Sequence, residues 1–191
     1  MAGSKEEIYA YHGMIRDRVR KLDEFVTDVL HYSRNSHREV VKSEVSLAQL
    51  AKETVDELRY ADSKVAIDIS RAVTNDLTIV TDYGRLKTVL GNLIGNSIKY
   101  CDPRKDESFI KLETTIDNNA CMIAVHDNGI GIGKEHHEKI FEMFYRATEN
   151  SSGSGLGLFI TKEIVEKLGG TISIASTPRV GTSVLVKLPL T

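Results

Sequence analysis

Between Ser36 and Ser43 the hydrophobic period of this chain changes, and that change divides what it can fold into. Before the break, apolar positions recur every seven residues. Ile8, Ile15, Leu22 and Val29 form one row, and His12, Val19, Val26 and Ser33 form a companion row four residues on. No proline interrupts Ile8–Ser33, and Arg16, Asp17, Arg20, Lys21, Asp23 and Glu24 flank the rows. Such a/d spacing predicts one long helix with a narrow apolar seam, which suits a partner helix better than a broad globular face. A helix packed back on its own domain is the alternative. Residues 36–43 are polar and charged and read as a linker, so the chain divides into an arm (1–43) and a domain (44–191).

The domain mixes helical and strand periods. Val45-Ser46-Leu47-Ala48-Gln49-Leu50 has the form of a capped helix start. Ser46 would accept from the Gln49 amide, Gln49 would reach back to the Ser46 amide, and Val45 would staple against Leu50. This helix is expected to end near Tyr60, followed by strands at Val65–Ile69 and Leu77–Val80 and a helix at Tyr83–Tyr100. Ser108–Ile116 and Cys121–His126 then read as a hairpin turning at Asp117-Asn118-Asn119. Helices are expected at Lys134–Phe144 and Leu156–Leu168, the latter stopped by Gly169-Gly170, with closing strands at Thr171–Ser176 and Thr182–Leu188. Without a regular βαβ repeat, this order predicts an α+β fold, a two-layer sandwich of a mixed sheet with helices on one face.

Net charge is −2, and no Lys/Arg stripe interleaves with aromatics, so a nucleic-acid surface is not expected. No apolar run reaches the ~20 residues needed to span a bilayer. Cys101 and Cys121 lack CxxC spacing, which argues against a disulfide or zinc site and points to a reducing cytoplasm.

Four segments carry the chemistry. On the helix after Tyr83, Leu86, Val89, Leu90, Leu93, Ile94 and Ile98 make an apolar arc, and Asn92, Asn96 and Lys99 fall together at its edge. Amide oxygens suit Mg²⁺ and an ammonium meets phosphate as a point charge. Gly91 and Gly95 each cost about 1 kcal/mol against Ala in a helix interior, so a close neighbour is expected beside them. Second, Asp127-Asn128-Gly129-Ile130-Gly131-Ile132-Gly133 follows a strand. A carboxylate at a strand end accepts from an exocyclic amine such as that of adenine, and the glycines let backbone lie close to a flat base. Third, Gly153-Ser154-Gly155-Leu156-Gly157-Leu158 opens a helix, offering free N–H groups and a positive dipole end to phosphates. No strand precedes it and no Gly-Lys-Ser/Thr follows, so it is neither a Rossmann fingerprint nor a P-loop. Fourth, the aromatics of Ile140-Phe141-Glu142-Met143-Phe144-Tyr145-Arg146 anchor one end of a polar, Gly-rich lid at 147–153, with Arg146 at its base.

In order and spacing, NLIGNSIKY, DNGIGIG, IFEMFYR and GSGLGL resemble the N, G1, F and G2 boxes of sensor histidine kinases, within the wider Bergerat-fold ATPases. Gly181-Thr182 resembles the last glycine box. The resemblance implies that ATP and Mg²⁺ bind, with Asn96 on the metal and Asn92 nearby. It implies that Lys99, Tyr145 and Arg146 meet phosphates or ribose, that Tyr100 stacks near the base, and that Asp127 binds the adenine amine. Gly129 and Gly131 would line the base, Gly153, Gly155, Leu156, Gly157 and Leu158 would cradle phosphates, and Thr182 would border the site. Lys99, Arg146 and Asn92 are the implied catalytic residues. ATP-hydrolysing relatives of the gyrase, chaperone and mismatch-repair types carry a glutamate where this chain has Asn92. An amide takes no proton from water, so slow hydrolysis is expected.

Residues 22–34 resemble the second helix of the family's dimerisation hairpin, which implies a homodimer through residues 8–33 and a response-regulator receiver domain as partner. No H-[E/D]-x-x-[T/N]-P acceptor motif occurs, and His12, on the seam, is followed by Gly13. Self-phosphorylation by this chain alone is therefore not expected. The alternative function is a nucleotide-sensing dimerisation scaffold without kinase activity.

Overall fold

The structure, a computed structural model, describes residues 5–59, 77–147 and 154–190. Helix α1 (Lys5–His37) is followed by β1 (Ser43–Ser46), α2 (Leu47–Arg59), β2 (Thr78–Thr81) and α3 (Tyr83–Lys99). The hairpin β3 (Ile110–Asp117) and β4 (Ala120–Asp127) leads through two short 3₁₀ turns, Lys134–His136 and Lys139–Phe141, to α4 (Gly157–Lys167) and the hairpin β5 (Thr171–Thr177) and β6 (Gly181–Pro189).

The main sheet has the order β3-β4-β6-β5, with every described pairing antiparallel. The strand expected at Val65–Ile69 lies outside the described residues. Register aligns the buried side chains in rows across the sheet. Leu112, Val125, Val184 and Ile174 make one row, and Thr114, Ile123, Val186 and Ile172 the next. That face carries the core shared with Leu86, Leu90 and Leu93 of α3 and Ile160 and Ile164 of α4. Alternation with period two and helical arcs with period 3.6 thus meet in one apolar layer. Asn118 and Asn119 have φ of 47° and 63°, the left-handed pair that a two-residue hairpin turn requires.

Helix α2 begins as the sequence indicates, with Ser46 Oγ accepting from the Gln49 amide at 3.2 Å and both Val45 and Leu50 buried. Half of the expected capping box does not form: the Gln49 side chain donates to Glu53 Oε1 at 2.9 Å instead. The reason is the four-residue strand β1, which pairs Ser43–Ser46 with β2 and sets the chain just before the cap. The expected helix at Lys134–Phe144 is likewise replaced by the two turns. Ile140 is the one fully buried apolar side chain in that stretch, too little to hold a helix of three turns. At the other end of α4, the Gly169 amide donates to Glu166 O and the Gly170 amide to Val165 O, with Gly169 at φ 77°, so the glycine pair stops the helix as expected.

The linker is fastened to the start of α3. Arg85, 3% exposed, donates to the Arg38 and Glu39 carbonyls at 2.6 and 3.1 Å and to Asp82 at 2.6 Å. Asp82 caps α3 by accepting from the Arg85 amide and also accepts from the Val41 amide. Burial raises the Asp82 carboxyl, but the Arg85 and Val41 amides and the Arg85 guanidinium outweigh it and hold the pKa below the ordinary aspartate value. This tie therefore stabilises the fold above that value and loses its contribution as pH falls through the lowered pKa.

Helix α1 leaves its seam open. Ile15, Val19, Leu22, Val26 and Val29 are 40–62% exposed, and His12 is exposed beside them in the single chain. No helix among the described residues is long and apolar enough to cross a membrane.

Candidate functional site

Asp127 ends β4, and three segments converge on its carboxylate. Oδ1 accepts the Gly129 amide at 2.9 Å and the Thr182 amide at 3.2 Å. Oδ2 lies 3.0 Å from Ser97 Oγ on α3. The carboxylate is half-buried, so a charged acceptor held by three protein donors faces a partly water-excluded space.

The glycines around it have distinct reasons. A Cβ on Gly129 would run into the Tyr100 carbonyl, which also accepts the Ile130 amide at 3.0 Å. Gly131 has φ 69° and lies against the Thr177 carbonyl, and Gly181 has φ 145° and lies against the Asp127 carbonyl. The β5–β6 turn is thus pressed onto the Asp127–Gly133 loop. Arg179 donates its amide to Ile130 O at 2.7 Å, and Ser176 Oγ accepts the Ile132 amide at 2.8 Å. Ser176 Oγ also lies 2.9 Å from Thr182 Oγ1, joining both edges of the loop. On the outer side, Lys105 Nζ donates to Asn128 O and Val180 O at 2.6 and 2.9 Å. Gly91 and Gly95 differ. Outside their own helix, no heavy atom of the described residues lies within 4 Å of a Cβ at either, so the close neighbour expected beside them is not found among the described residues.

The N-box residues divide between structure and cleft. Asn92 Nδ2 donates to the Gly157 carbonyl at 3.1 Å and to Thr161 Oγ1 at 3.2 Å, bolting α3 to the first turn of α4. A carbonyl partner fixes the amide's orientation, so Oδ1 is the atom left for a ligand. Asn96 is half-buried, with no side-chain hydrogen bond among the described residues. Lys99 is exposed, its Nζ 5.0 Å from the centroid of the Tyr100 ring. The ammonium and this aromatic face therefore come together beside the base loop.

Before the segment expected to form a lid, Phe144 has φ 65°, costly for a bulky residue, and its amide donates to Gly155 O at 3.2 Å. A Cβ on Gly155, at φ 77°, would come within 2.8 Å of the Phe144 carbonyl carbon. Phe144 and Gly155 are thus pinned together. Residues 148–153, Gly153 among them, lie outside the described residues. Tyr145 OH pairs with His136 Nδ1 at 2.7 Å, and Arg146 is exposed at the same base. Phe25 of α1 stacks on Phe144 with ring centroids 6.0 Å apart. Leu156, at the N-cap of α4, contributes no side-chain cap, while Gly157 and Leu158 open the helix half-buried. An uncapped helix start offers its amides and positive dipole end to an anion.

Amides from α3, a carboxylate on β4 and the start of α4 therefore lie on adjoining elements, with Asn92 linking α3 to α4 and Ser97 linking α3 to β4. The arrangement offers what an adenine nucleotide requires: an acceptor for an amine, hard oxygen ligands and helix-start amides. Residues 81–191 match the family described as histidine kinase-, DNA gyrase B-, and HSP90-like ATPases. The chain belongs to this family.

Among its relatives, the methanogenesis regulatory histidine kinase FilI of Methanothrix harundinacea is 33% identical over 92% of this chain and 20% of its own length. The sensor protein SrrB of Staphylococcus aureus is 29% identical over 96% of this chain and 32% of its own. The chain thus spans less than half the length of these curated relatives. Full-length ShkA, solved with AMPPNP, superposes with a TM-score of 0.76 at 26% identity over 96% of this chain and 39% of that one. ThkA, solved with the response regulator TrrA, gives 0.75 at 25% identity, covering all of this chain and 53% of that one. The chain carries the ATP-binding catalytic fold of sensor histidine kinases.

Sequence reasoning passed over Ser97, Thr161, Ser176 and Lys105. Ser97 had a signal: it continues the buried row of Leu86, Leu90 and Leu93, where a hydroxyl requires a partner. The others become legible only when distant segments meet.

Proposed function

We propose that this chain is the catalytic part of a cytoplasmic sensor histidine kinase. It binds ATP with Mg²⁺ and passes the γ-phosphoryl group to a histidine outside this chain, in signalling that continues to a response-regulator receiver domain. The observation that carries the reading is the Asp127 carboxylate, saturated on Oδ1 and still open on Oδ2, joined through α3 to the start of α4, whose N-cap residue makes no side-chain cap. The amide oxygen of Asn96, with Asn92 nearby, would hold a hard divalent cation, which would supply positive charge to offset that of the phosphates. Lys99 and Arg146 would meet the phosphates, Tyr145 would hold the lid base through His136, and Tyr100 would flank the base. As the bond from the γ-phosphorus to the departing ADP oxygen breaks, a bond from phosphorus to the unprotonated histidine nitrogen forms, and the proton on the other ring nitrogen is released to water. With an amide at Asn92, nothing on α3 activates water in competition.

The purified chain, mixed with γ-labelled ATP, Mg²⁺ and an isolated histidine-containing acceptor hairpin, should transfer label to the acceptor while releasing little free phosphate. EDTA and Asn96→Ala should each lower transfer at least about tenfold. Steady hydrolysis without acceptor labelling would defeat the kinase reading, and nucleotide binding with neither product would favour a nucleotide-sensing scaffold.

We also propose a homodimer through residues 8–33, supported by the five exposed seam residues and their seven-residue period. Sedimentation should give a dimer for the full chain and a monomer for a version starting at Ser43. A monomeric full chain at high micromolar concentration would refute this.

A further inference from the structure

We infer that Ser97 is the positioning residue for Asp127 and, through it, a determinant of selectivity for a base with an exocyclic amine. This rests on the reading of Asp127 as the base-recognition group.

Ser97 is 6% exposed on α3, and its Oγ lies 3.1 Å from Leu93 O and 3.0 Å from Asp127 Oδ2. A hydroxyl has one hydrogen, and both of these neighbours are acceptors. The carboxylate is charged and the Leu93 carbonyl already sits in a helix ladder, so the hydrogen goes to Asp127. Oδ1 is filled by the amides of Gly129 and Thr182. A carboxylate offers about four acceptor positions, so the three donors leave one, on Oδ2. Ser97 is the side chain that sets the rotation of the group and hence where this last position points. A ligand amine fits there. A ring carbonyl at the same place would set oxygen against oxygen, and Ser97 could turn to it only by abandoning Asp127. A hydroxyl kept on the buried face of α3 thus acts on the ligand without touching it.

The test titrates the full chain, with Mg²⁺, against ATP and against purine riboside triphosphate, which lacks the exocyclic amine. The unaltered protein should favour ATP. Ser97→Ala should lose about tenfold in ATP affinity and almost nothing for the analogue, so that the ratio collapses. Ser97→Cys, close in size but a weak donor, should move the ratio the same way, and it carries the test if Ser97→Ala melts early. Equal losses on both nucleotides, as a merely structural hydroxyl would give, overturn the inference, and so does an unmoved ratio. An unaltered protein that fails to distinguish the two nucleotides sinks the reading of Asp127 itself, and with it the role of Ser97.

Discussion

Nucleotide affinity should fall by about a hundredfold or more in Asp127→Asn, with the fold intact. The geometry sets the size of the effect. Oδ1 is committed to the Gly129 and Thr182 amides, so asparagine must keep its carbonyl oxygen there and turn its NH₂ toward the ligand. One charge-assisted hydrogen bond, worth about 1.5–3 kcal/mol, is lost. A donor then faces the ligand amine, leaving desolvated N–H groups without acceptors at a further cost of about 1–3 kcal/mol. Together these give about 10²–10⁴ in dissociation constant. The Ser97 hydroxyl adapts by accepting from the new amide and donating to Leu93 O, so the folded state loses little. Titration of a fluorescent ATP analogue measures affinity and thermal melting checks the fold. An affinity within threefold of the original would show that Asp127 does not hold the base.

The second large effect concerns backbone. Gly131→Ala should destabilise the domain by about 3 kcal/mol or more and abolish measurable nucleotide binding at micromolar protein. The residue sits at φ 69°, where a Cβ costs about 1–2 kcal/mol in any setting. Here the Cβ also points into the Thr177 carbonyl and comes within 3.0 Å of Pro178 Cα, both backbone positions of a turn that cannot rotate aside. The loop must part from the β5–β6 turn, breaking the Arg179–Ile130 and Ser176–Ile132 bonds that hold it. For a domain of this size the loss corresponds to a melting point lower by about 6–12 °C. Gly91→Ala is the control, because no described residue outside the helix comes near its Cβ in a helix interior; it should stabilise by up to about 1 kcal/mol. Equal melting points for the two alanine variants would show that loop and turn are not locked together.

These two glycines show where sequence reading stops. In the sequence each is a glycine in a motif that calls for close approach. The structure separates them, because the need for a missing Cβ comes from the carbonyl of a residue 46 positions away at Thr177 in one case and from no described residue in the other. The same holds for the Lys134–Phe144 segment. Its composition allows a helix, but without a buried stripe its ends were drawn instead toward Ile140 burial and the Phe144–Gly155 contact. Strand β1 was illegible for the converse reason. Ser-Glu-Val-Ser has no strand period, and pairing with β2, 35 residues on, imposes one.

What the sequence determined by itself is whatever depends on neighbours along the chain. The extents of α3 and α4, the β3–β4 hairpin, the two closing strands, the Ser46 cap, the glycine stop and the seven-residue seam all rest on contacts within a few residues or on burial of one periodic face. Motif order likewise named the chemistry of an adenine nucleotide. Only the tertiary structure decided how that chemistry is held. Ser97, Gly129 and Thr182 reach Asp127 from three segments, Asn92 ties α3 to α4, and Phe25 meets Phe144 across more than a hundred residues. Such bonds depend on distance and direction in space, and residues this far apart come within reach only once the apolar faces of sheet and helices have closed on each other.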